Sequence, residues 1–322
     1  MSSPSDFPSL PIKLSIVAPI FNSRSTIREF VERCRVVAEA LVASEFELIL
    51  VDDCSTDGTL EAAIAESQEH SEVVVVELAR NYGQHLAILA GLRLANGEML
   101  VCIDGDCDED PRWIEEFWQV QKITEADIVI GVNQTPQKSL VYQQLRFLFL
   151  LILGLRDLRL RPETTARLMT RQVASAVVQH AESSFYFGGV MNKIGFKRAY
   201  IPVAKGARDK TRYSLRLLIR RALEGVTSFS TRPLRVFFLW GLLITILSAL
   251  AALTVISLAL TGRIPAGAGW ISVLLTVTFF GGNVLLGIGI IGEYLLRVVS
   301  EVRRRPQYFV RGIHRKGRHI GQ

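Results

Sequence analysis

The stretch FELILVDDCSTDGT, residues 46–59, holds an apolar run, an acidic end and a turn signal in immediate succession. The run FELILV is short and apolar apart from Glu47, which is typical of a strand buried on both faces of a parallel sheet. Asp57-Gly58 is a turn signal, and Ser55, Thr56 or Asp57 suits the cap of a following helix at 59–69. The segment therefore predicts a strand, a turn and a helix.

The same alternation repeats on both sides of this segment. Upstream, LSIVAPI (14–20) predicts a strand and 25–42 has helical periodicity. Downstream, the predicted elements are a strand at 73–78, a helix at 83–95, a strand at 99–103 and a helix opened by Pro111. Strands separated by helices predict an α/β fold, with a parallel sheet covered by helices on both faces.

Polar residues follow each predicted strand, at 19–22, 52–53, 80–83 and 104–106. Ligands of such sheets bind beyond the carboxyl ends of the strands, so these four loops are expected to meet at one rim. Asp52 has no local capping role, and we expect it to bond a nucleobase or ribose. No G-x-G-x-x-G follows the first predicted strand, where a dehydrogenase would need it, and the chain has no P-loop.

Residues 104–110, DGDCDED, carry five carboxylates in seven positions. Asp104 and Asp106 flank a glycine that permits close approach, and their hard oxygen atoms suit Mg²⁺ or Mn²⁺ bridging to phosphates. A solvated acidic loop is the alternative for the rest. Asp108 is equally well interpreted as a third ligand, whereas Glu109 and Asp110 suit the first turn of the next helix.

Two long apolar stretches follow the α/β region, at about 234–260 and 271–296. Each is long enough to cross a bilayer as a helix, and the Arg-rich outer flanks predict that the large N-terminal part and both termini are cytoplasmic. We expect a multi-pass protein of the inner (cytoplasmic) membrane. Its predicted segments are a disordered N-terminus (1–11), an α/β domain (12–205), interfacial amphipathic helices (206–233), two transmembrane helices (234–296) and a basic cytoplasmic tail (297–322).

The chain of 322 residues has a net charge of +6, and its basic residues concentrate in 205–221 and 303–318. Nucleic acid is the general alternative for such runs. Their position beside the apolar stretches favours anionic lipid headgroups, so we expect a lipid bilayer as partner and no nucleic acid. Glycines 281, 282, 287 and 289 would permit close helix packing, which leaves a homo-oligomer open.

Several motifs in order resemble the family 2 glycosyltransferases of the GT-A fold, and among them the polyprenyl-phosphate glycosyltransferases similar to dolichyl-phosphate mannose synthase. They are P-x-F-N (19–22), V-D-D-x-S-x-D-G-T (51–59), R-N-Y-G-Q-H (80–85), D-G-D (104–106), R-L-M (167–169) and the segments 212–235 and 292–310. The resemblance covers about residues 12–310. It implies a Rossmann-like mixed sheet with helices on both faces, and inverting transfer of a sugar from a nucleotide diphosphate-sugar, such as a UDP-sugar, to polyprenyl phosphate.

The resemblance also implies roles for the rim residues. The nucleotide-sugar would lie against Pro19, Phe21, Asn22, Asp52, Asp53, Arg80, Gly83 and Asp104. Asp104, Asp106 and Arg167 would act in catalysis, with Asp106 and Asp108 holding the Mg²⁺ or Mn²⁺ ion. The lipid phosphate would meet Arg208, Lys210, Arg212 and Arg216, for which interfacial snorkelling is the alternative.

One departure from the family pattern concerns the reaction centre. Relatives carry Gly-Asp-Phe before Arg-Leu-Met, where this chain has Thr164-Thr165-Ala166. An anionic acceptor phosphate needs little help from a general base, so we expect Thr165→Ala to have little effect. The competing hypotheses are a catalytically silent family member acting as a membrane scaffold, and a polysaccharide synthase, which would carry Gln-x-x-Arg-Trp and more spans.

Overall fold

A computed structural model describes residues 12–133, 163–179, 187–204, 269–303 and 306–321, with single residues between 240 and 257. The chain divides into two compact units. One comprises Met1–Lys138, Arg159–Thr211 and Arg305–Gln322, and the other comprises Ser139–Leu158 and Arg212–Arg304. The predicted segments 1–11 and 206–233, with the four lipid-phosphate candidates between 208 and 216, lie outside the described residues.

The N-terminal half of the first unit alternates strands and helices, as the sequence predicts. Its elements are β1 (Leu14–Ile20), α1 (Ile27–Val42), β2 (Phe46–Asp52), α2 (Thr59–Glu69), β3 (Val73–Leu78), α3 (Gln84–Leu94), β4 (Met99–Cys102), α4 (Trp113–Thr124) and β5 (Ile128–Asn133). Strands β1 and β2 are buried almost throughout because the sheet is covered on both faces. The strand and helix types predicted for 14–124 are confirmed, with ends that differ by one or two residues.

The remaining described elements are β6 (Glu163–Thr170), α5 (Arg171–Gln179), α6 (Phe187–Lys193), β7 (Arg198–Val203), α7 (Gly269–Arg303), β8 (Val310–Arg315) and β9 (Arg318–Gly321). One sheet contains all nine strands in the order β7-β5-β6-β4-β1-β2-β3-β8-β9. Its centre, β4-β1-β2-β3, is parallel. Strand β6 pairs antiparallel with β4 and β5, so the sheet is mixed, as the GT-A resemblance implies.

Apolar side chains pack on both faces of the sheet, because successive strand residues point to opposite sides. Ile16 contributes to the cluster that contains Phe30 of α1 and Ile114 of α4, whereas its neighbour Val17 contributes to the cluster that contains Ile88 of α3. Helices α1, α2 and α4 therefore cover one face, and α3, α5 and α6 the other.

The last residues of the chain belong to the sheet and do not form the basic tail that the sequence predicts for all of 297–322. Strand β8 pairs antiparallel with β3, and β9 with β8. Arg311 Nη1 lies 2.9 Å from Glu77 Oε1 on β3, and the guanidinium of Arg93 on α3 lies 5.3 Å from the ring centroid of Tyr308. The basic composition thus hid two strands, of which β8 pairs a positive side chain with Glu77 of the neighbouring strand.

The second unit is described chiefly by α7, whose side chains are described only in part. Large apolar side chains along it are exposed, among them Val273, Val284, Ile291 and Val302. Within the residues that the structure describes, no helix is both long enough and apolar enough to cross a bilayer.

Candidate functional site

The loops that follow β1, β2, β3 and β4 come together at the carboxyl edge of the parallel strands. Asp53 N–H donates to Ile20 O over 3.0 Å, and Gly105 N–H to Pro19 O over 3.2 Å. Non-glycine residues with positive φ are concentrated here, at Asn22 (50°), Cys54 (62°) and Cys107 (62°). Such conformations cost energy and persist where the surrounding structure enforces them, which is common at functional sites.

The two aspartates after β2 have different roles, although both are almost completely buried. Asp53 accepts hydrogen bonds from the Tyr82 N–H at 2.7 Å and the Gly83 N–H at 2.8 Å, so it ties the loop after β3 to the rim. Asp52 Oδ2 accepts the Ser55 N–H at 3.1 Å. Its Oδ1 is buried and has no hydrogen-bond partner in the described part of the chain.

Burial disfavours the charged form of both carboxyls. It is the main cause that raises the pKa of Asp52 above its ordinary value, against the hydrogen bonds from Ser55. Burial likewise raises the pKa of Asp53, against the hydrogen bonds from Tyr82 and Gly83. A buried acceptor that the protein leaves unsatisfied is costly unless a ligand supplies the donor, so Asp52 Oδ1 is the better candidate for a nucleotide contact.

The loop after β1 divides between structure and exposure. Asn22 is held to the loop after β2, because its N–H donates to Ser55 Oγ at 3.0 Å and its Oδ1 accepts the Thr56 N–H at 3.0 Å. Phe21 is 48% exposed, so its ring is available at the rim. Pro19 is the one partly exposed residue of β1, and its carbonyl accepts the hydrogen bond from the Gly105 N–H.

The loop after β3 presents Arg80, whose guanidinium lies 4.7 Å from the ring centroid of Tyr82. Gly83 has φ of 90° and immediately precedes α3. A residue with a β-carbon adopts this φ only with strain, which explains the glycine. Arg80 is exposed, so a cation is available beside the loop that Asp53 holds.

Gly105 is required by close packing against β1, whereas the sequence predicted a glycine that permits close approach of Asp104 and Asp106. A β-carbon at this position would lie 2.4 Å from Ile20 Cγ2 and 3.1 Å from Pro19 O. Ile20 is β-branched and buried, so it has little freedom to move aside.

We expect Gly105→Ala to displace the 104–108 loop from β1 and to lower turnover at least tenfold, because misplacing a catalytic group by about 1 Å can cost up to about a hundredfold. The measurement is donor turnover beside thermal unfolding. Gly241→Ala is the control, since no atom lies within 4 Å of that β-carbon and the backbone there has no positive φ. Full activity in a folded Gly105→Ala chain would contradict the packing account.

The acidic run 104–110 is divided among different partners. Asp110 Oδ1 lies 2.7 Å from Arg33 Nη2 on α1, and Asp110 Oδ2 lies 2.9 Å from Arg112 Nη2. Burial works against ionisation of Asp110, but the bonds from Arg112 and the charge of Arg33 outweigh it and lower its pKa. Asp110 thus joins α1 to the loop, which is more than the helix-start role that the sequence predicts.

Glu109 is fully buried, and sequence reasoning assigned it no more than a place at the start of a helix. Its Oε2 accepts the Asp104 N–H at 3.1 Å, and its Oε1 accepts the Thr165 N–H at 3.0 Å. The two donors belong to separate segments of the chain. The sequence offered one signal for another role. The helix that Glu109 was expected to start begins only four residues later, at Trp113.

Gln84 is a site residue that the sequence did not single out, and Thr165 was noted only as a departure from the family pattern. Gln84 Nε2 donates to Asp104 Oδ1 and, at 2.9 Å, to Thr165 Oγ1. The R-N-Y-G-Q-H motif contains Gln84, but only the fold places it opposite Asp104. The expectation that Thr165→Ala has little effect is therefore revised, because the Thr165 hydroxyl belongs to the network around Asp104.

Asp106 and Asp108 provide the donor set expected for a hard divalent cation. Both are partly exposed at the rim, and Asp106 Oδ1 accepts the Asp108 N–H at 3.0 Å, which fixes the Asp106 side chain. Partly exposed carboxylates fit Mg²⁺ or Mn²⁺, which retain some water ligands and bind substrate phosphates. The metal roles of these residues stay predictions.

Arg167 lies on β6 and is 4% exposed. Its Nε donates to Thr165 O at 3.1 Å and its Nη2 to Thr164 O at 2.7 Å, while the guanidinium lies 4.6 Å from the Phe187 ring centroid. Its buried Nη1 has no hydrogen-bond partner among the described residues. The structure thus gives Arg167 a bracing role at Thr165, and the catalytic role that the resemblance implies depends on Nη1.

Comparison with known proteins finds one family model and many relatives. The model, glycosyl transferase family 2, matches residues 15–179. A protein of Mycobacterium tuberculosis (strain CDC 1551 / Oshkosh) whose name places it among glycosyltransferases is 33% identical over 305 residues, which is 94% of this chain and 89% of that one. The uncharacterized glycosyltransferase YkoT of Bacillus subtilis (strain 168) is 32% identical over 308 residues, covering 92% and 90%.

Solved structures show a weaker likeness. Mannosyl-3-phosphoglycerate synthase from Rubrobacter xylanophilus has 18% identity and a TM-score of 0.49 over 70% of this chain and 74% of that chain. Glucosyl-3-phosphoglycerate synthase from Mycobacterium tuberculosis, in complex with Mn²⁺, UDP-glucose and phosphoglyceric acid, has 18% identity and a TM-score of 0.46 over 68% and 83%. Neither likeness identifies a substrate for this chain.

Proposed function

This chain belongs to glycosyl transferase family 2, and on that premise we propose that it is a membrane-anchored, inverting transferase that moves a sugar from a UDP-sugar to a polyprenyl phosphate such as undecaprenyl phosphate. A GT-A fold and a nucleotide-sugar donor follow from the family. The acceptor, the inversion, the uridine base and the inner-membrane location with cytoplasmic catalytic domain and termini are the proposed part. The product would be a polyprenyl-phosphate-sugar for modification of the cell envelope.

The observation that carries the acceptor proposal is the apolar exposed surface of α7. Val273, Val284, Ile291 and Val302 are each more than half exposed, along a helix of 35 residues. Large apolar side chains exposed along a helix of this length are unfavourable in water and suit contact with lipid. The same interpretation is supported by the sequence 234–260, whose one charged residue is Arg235 at its start, and by the basic runs beside both apolar segments.

The donor half of the mechanism rests on the rim. Asp52 Oδ1 is suited to accept an N–H of the base. The exposed ring of Phe21, in the rim loop after β1, offers an apolar surface. Asp104, oriented by Gln84, would bond the donor near the sugar. Asp106 and Asp108 would hold the divalent ion, which when bound neutralises the diphosphate leaving group.

The chemical step exchanges one bond at the anomeric carbon. An oxygen of the acceptor phosphate attacks the carbon from the face opposite the diphosphate, and the carbon–oxygen bond to the diphosphate breaks with both electrons leaving on the nucleotide. The acceptor is already anionic at neutral pH and needs no general base, which is compatible with Thr165 at the family's Asp position. Cations are needed to position it, and Arg208, Lys210, Arg212 and Arg216 are the proposed ones.

The test is transfer in membranes that contain the full chain. They are incubated with labelled nucleotide-sugars, Mg²⁺ or Mn²⁺, and undecaprenyl phosphate, and extracted for labelled lipid. A metal-dependent sugar-lipid that appears only with the polyprenyl phosphate is the expected result. Polymer in place of a sugar-lipid would favour a polysaccharide synthase, and no product from a broad donor panel would favour a silent scaffold. Either outcome would overturn the proposal.

A further inference from the structure

The end of β4 and the neighbouring part of β6 are not joined by ladder hydrogen bonds at the rim. The antiparallel register pairs Met99 with Thr170 and Cys102 with Arg167. Continued by two residues, this register places Asp104 opposite Thr165. However, β4 ends at Cys102, whereas β6, which is antiparallel to it, includes Thr165 and extends to Glu163.

The Glu109 carboxylate occupies the place of the missing ladder bonds. One oxygen accepts the Asp104 N–H and the other accepts the Thr165 N–H, so the two facing main chains are bridged by a side chain. Glu109 is 0% exposed, and a carboxylate is buried at such cost only where hydrogen bonds hold it. The bridge therefore fixes how far the two strand ends are spread apart.

Thr165 is held from its other side as well. Arg167 Nε donates to the Thr165 carbonyl at 3.1 Å, so one residue has its N–H bound by a buried anion and its C=O by a buried cation. The Gln84 amide then donates one hydrogen bond to the Asp104 side chain and one to the Thr165 side chain. The separated ends of β4 and β6 thus hold the side chains of Asp104, Thr165 and Gln84 in one arrangement at the rim, which is called the constellation below.

We propose that Glu109 is a positioning residue of the transferase, whose buried carboxylate separates the ends of β4 and β6 and so sets the place of Asp104 and Thr165 at the donor sugar. This rests on the nucleotide-sugar chemistry of the family and deepens it, without requiring the polyprenyl acceptor. Glu109 itself contacts main-chain N–H groups and acts through the two residues that it bridges.

Glu109→Gln is the decisive variant, and Glu47→Gln is its matched control. An amide has one acceptor oxygen, so Glu109→Gln keeps one of the two bonds and turns an N–H donor toward the other N–H. Glu47 is also buried, but a single oxygen, Oε1, accepts both Ser15 Oγ–H at 2.7 Å and the Asn96 N–H at 2.5 Å. Glu47→Gln thus removes a buried charge and retains both bonds, at the amino end of the strands.

The primary readout is nucleotide release from a labelled UDP-sugar, with and without polyprenyl phosphate, beside UDP affinity. We expect Glu109→Gln to lower kcat about a hundredfold and to leave UDP affinity without metal within about threefold, because Asp52 is not disturbed. Glu47→Gln should change neither value more than about threefold. Equal losses in the two variants, or full activity of Glu109→Gln, would overturn the proposal.

Two further comparisons keep the outcomes separate. If the wild type releases nucleotide to water but forms no lipid product, the proposed acceptor fails while the Glu109 comparison proceeds unchanged. If it releases none, the gain in UDP affinity on adding Mn²⁺ is compared, and this gain should fall about tenfold in Glu109→Gln alone. A displaced Asp104 predicts that loss, and an unchanged gain would contradict it.

A second pair of variants tests the proposal if the Glu109→Gln chain does not fold. Thr165→Val keeps the N–H bound by Glu109 but removes the acceptor of the Gln84 amide, whereas Thr165→Ser keeps the hydroxyl. We expect Thr165→Val to lower turnover, or the Mn²⁺ gain where turnover is absent, about tenfold relative to Thr165→Ser. Equal values would show that the constellation at Thr165 does not serve the donor.

Discussion

Asp106→Ala is expected to abolish metal-dependent sugar transfer, with turnover lowered about a thousandfold or more. A divalent ion supplies several kcal/mol of stabilisation to a departing diphosphate, and about 4 kcal/mol corresponds to a thousandfold in rate. Asp106 is partly exposed, so we expect its loss to leave the fold intact. The measurement is product formation across a range of Mg²⁺ and Mn²⁺ concentrations, beside thermal unfolding.

Asp108→Ala is the matched control for that result. Its backbone N–H, which bonds Asp106 Oδ1, is retained in the variant, so the Asp106 side chain keeps its orientation. We expect a loss of about tenfold, partly recovered at high metal concentration, if Asp108 is a supporting ligand. Metal-dependent transfer by Asp106→Ala at near wild-type rates would show that the ion, or the site, lies elsewhere.

Asp52→Asn is expected to weaken UDP binding by about ten- to a hundredfold while leaving the chain as stable as the wild type or more stable. A hydrogen bond to a charged acceptor contributes about 1.5–3 kcal/mol, and the amide presents an N–H where the base would donate. In the absence of nucleotide the variant loses a buried charge, and its amide oxygen can still accept the Ser55 N–H. Calorimetric titration with UDP and thermal unfolding measure the two effects.

Asp53→Asn tests whether the effects expected for Asp52→Asn come from the nucleotide contact or from the burial that both residues share. Both oxygens of Asp53 accept main-chain N–H groups, so an amide loses one bond and leaves a donor facing a donor. We therefore expect Asp53→Asn to lower the free energy of unfolding by about 1–3 kcal/mol, in contrast to Asp52→Asn. Equal stability of the two variants would contradict the different roles assigned to the neighbouring aspartates.

The pH dependence of the Asp52 effect has a definite sign. Burial raises its pKa in the folded chain, so its contribution to stability is present at low pH and is lost as the pH rises through the folded value. UDP binding needs the ionised acceptor and should weaken as the pH falls through the same value. Asparagine does not titrate, so the part of each trend that comes from residue 52 should be absent in Asp52→Asn. The variant and the wild type are compared over the same pH range.

The order and type of the elements in residues 14–124 were predictable from the sequence, because local features determine them. Apolar runs such as 46–51 can be satisfied only in a covered sheet, and Asp57-Gly58 is a turn wherever it occurs. Topology then places the ends of parallel strands at one edge, which is why Asp52 and Asp104 were predictable as rim residues. The packing of Gly105 against Ile20, by contrast, was not predicted from the sequence.

Only the tertiary structure decided which of these side chains are available to a ligand. Asp52 and Asp53 are adjacent and alike in sequence, but main-chain groups thirty residues away satisfy one of them and not the other. The antiparallel entry of β6 beside β4 brings Thr165 to Gln84, and the pairing of β8 with β3 turns basic residues into a sheet edge. Composition and periodicity report how a segment is buried; the partner of a buried polar atom depends on contacts between distant segments, and these arise only when the chain is folded.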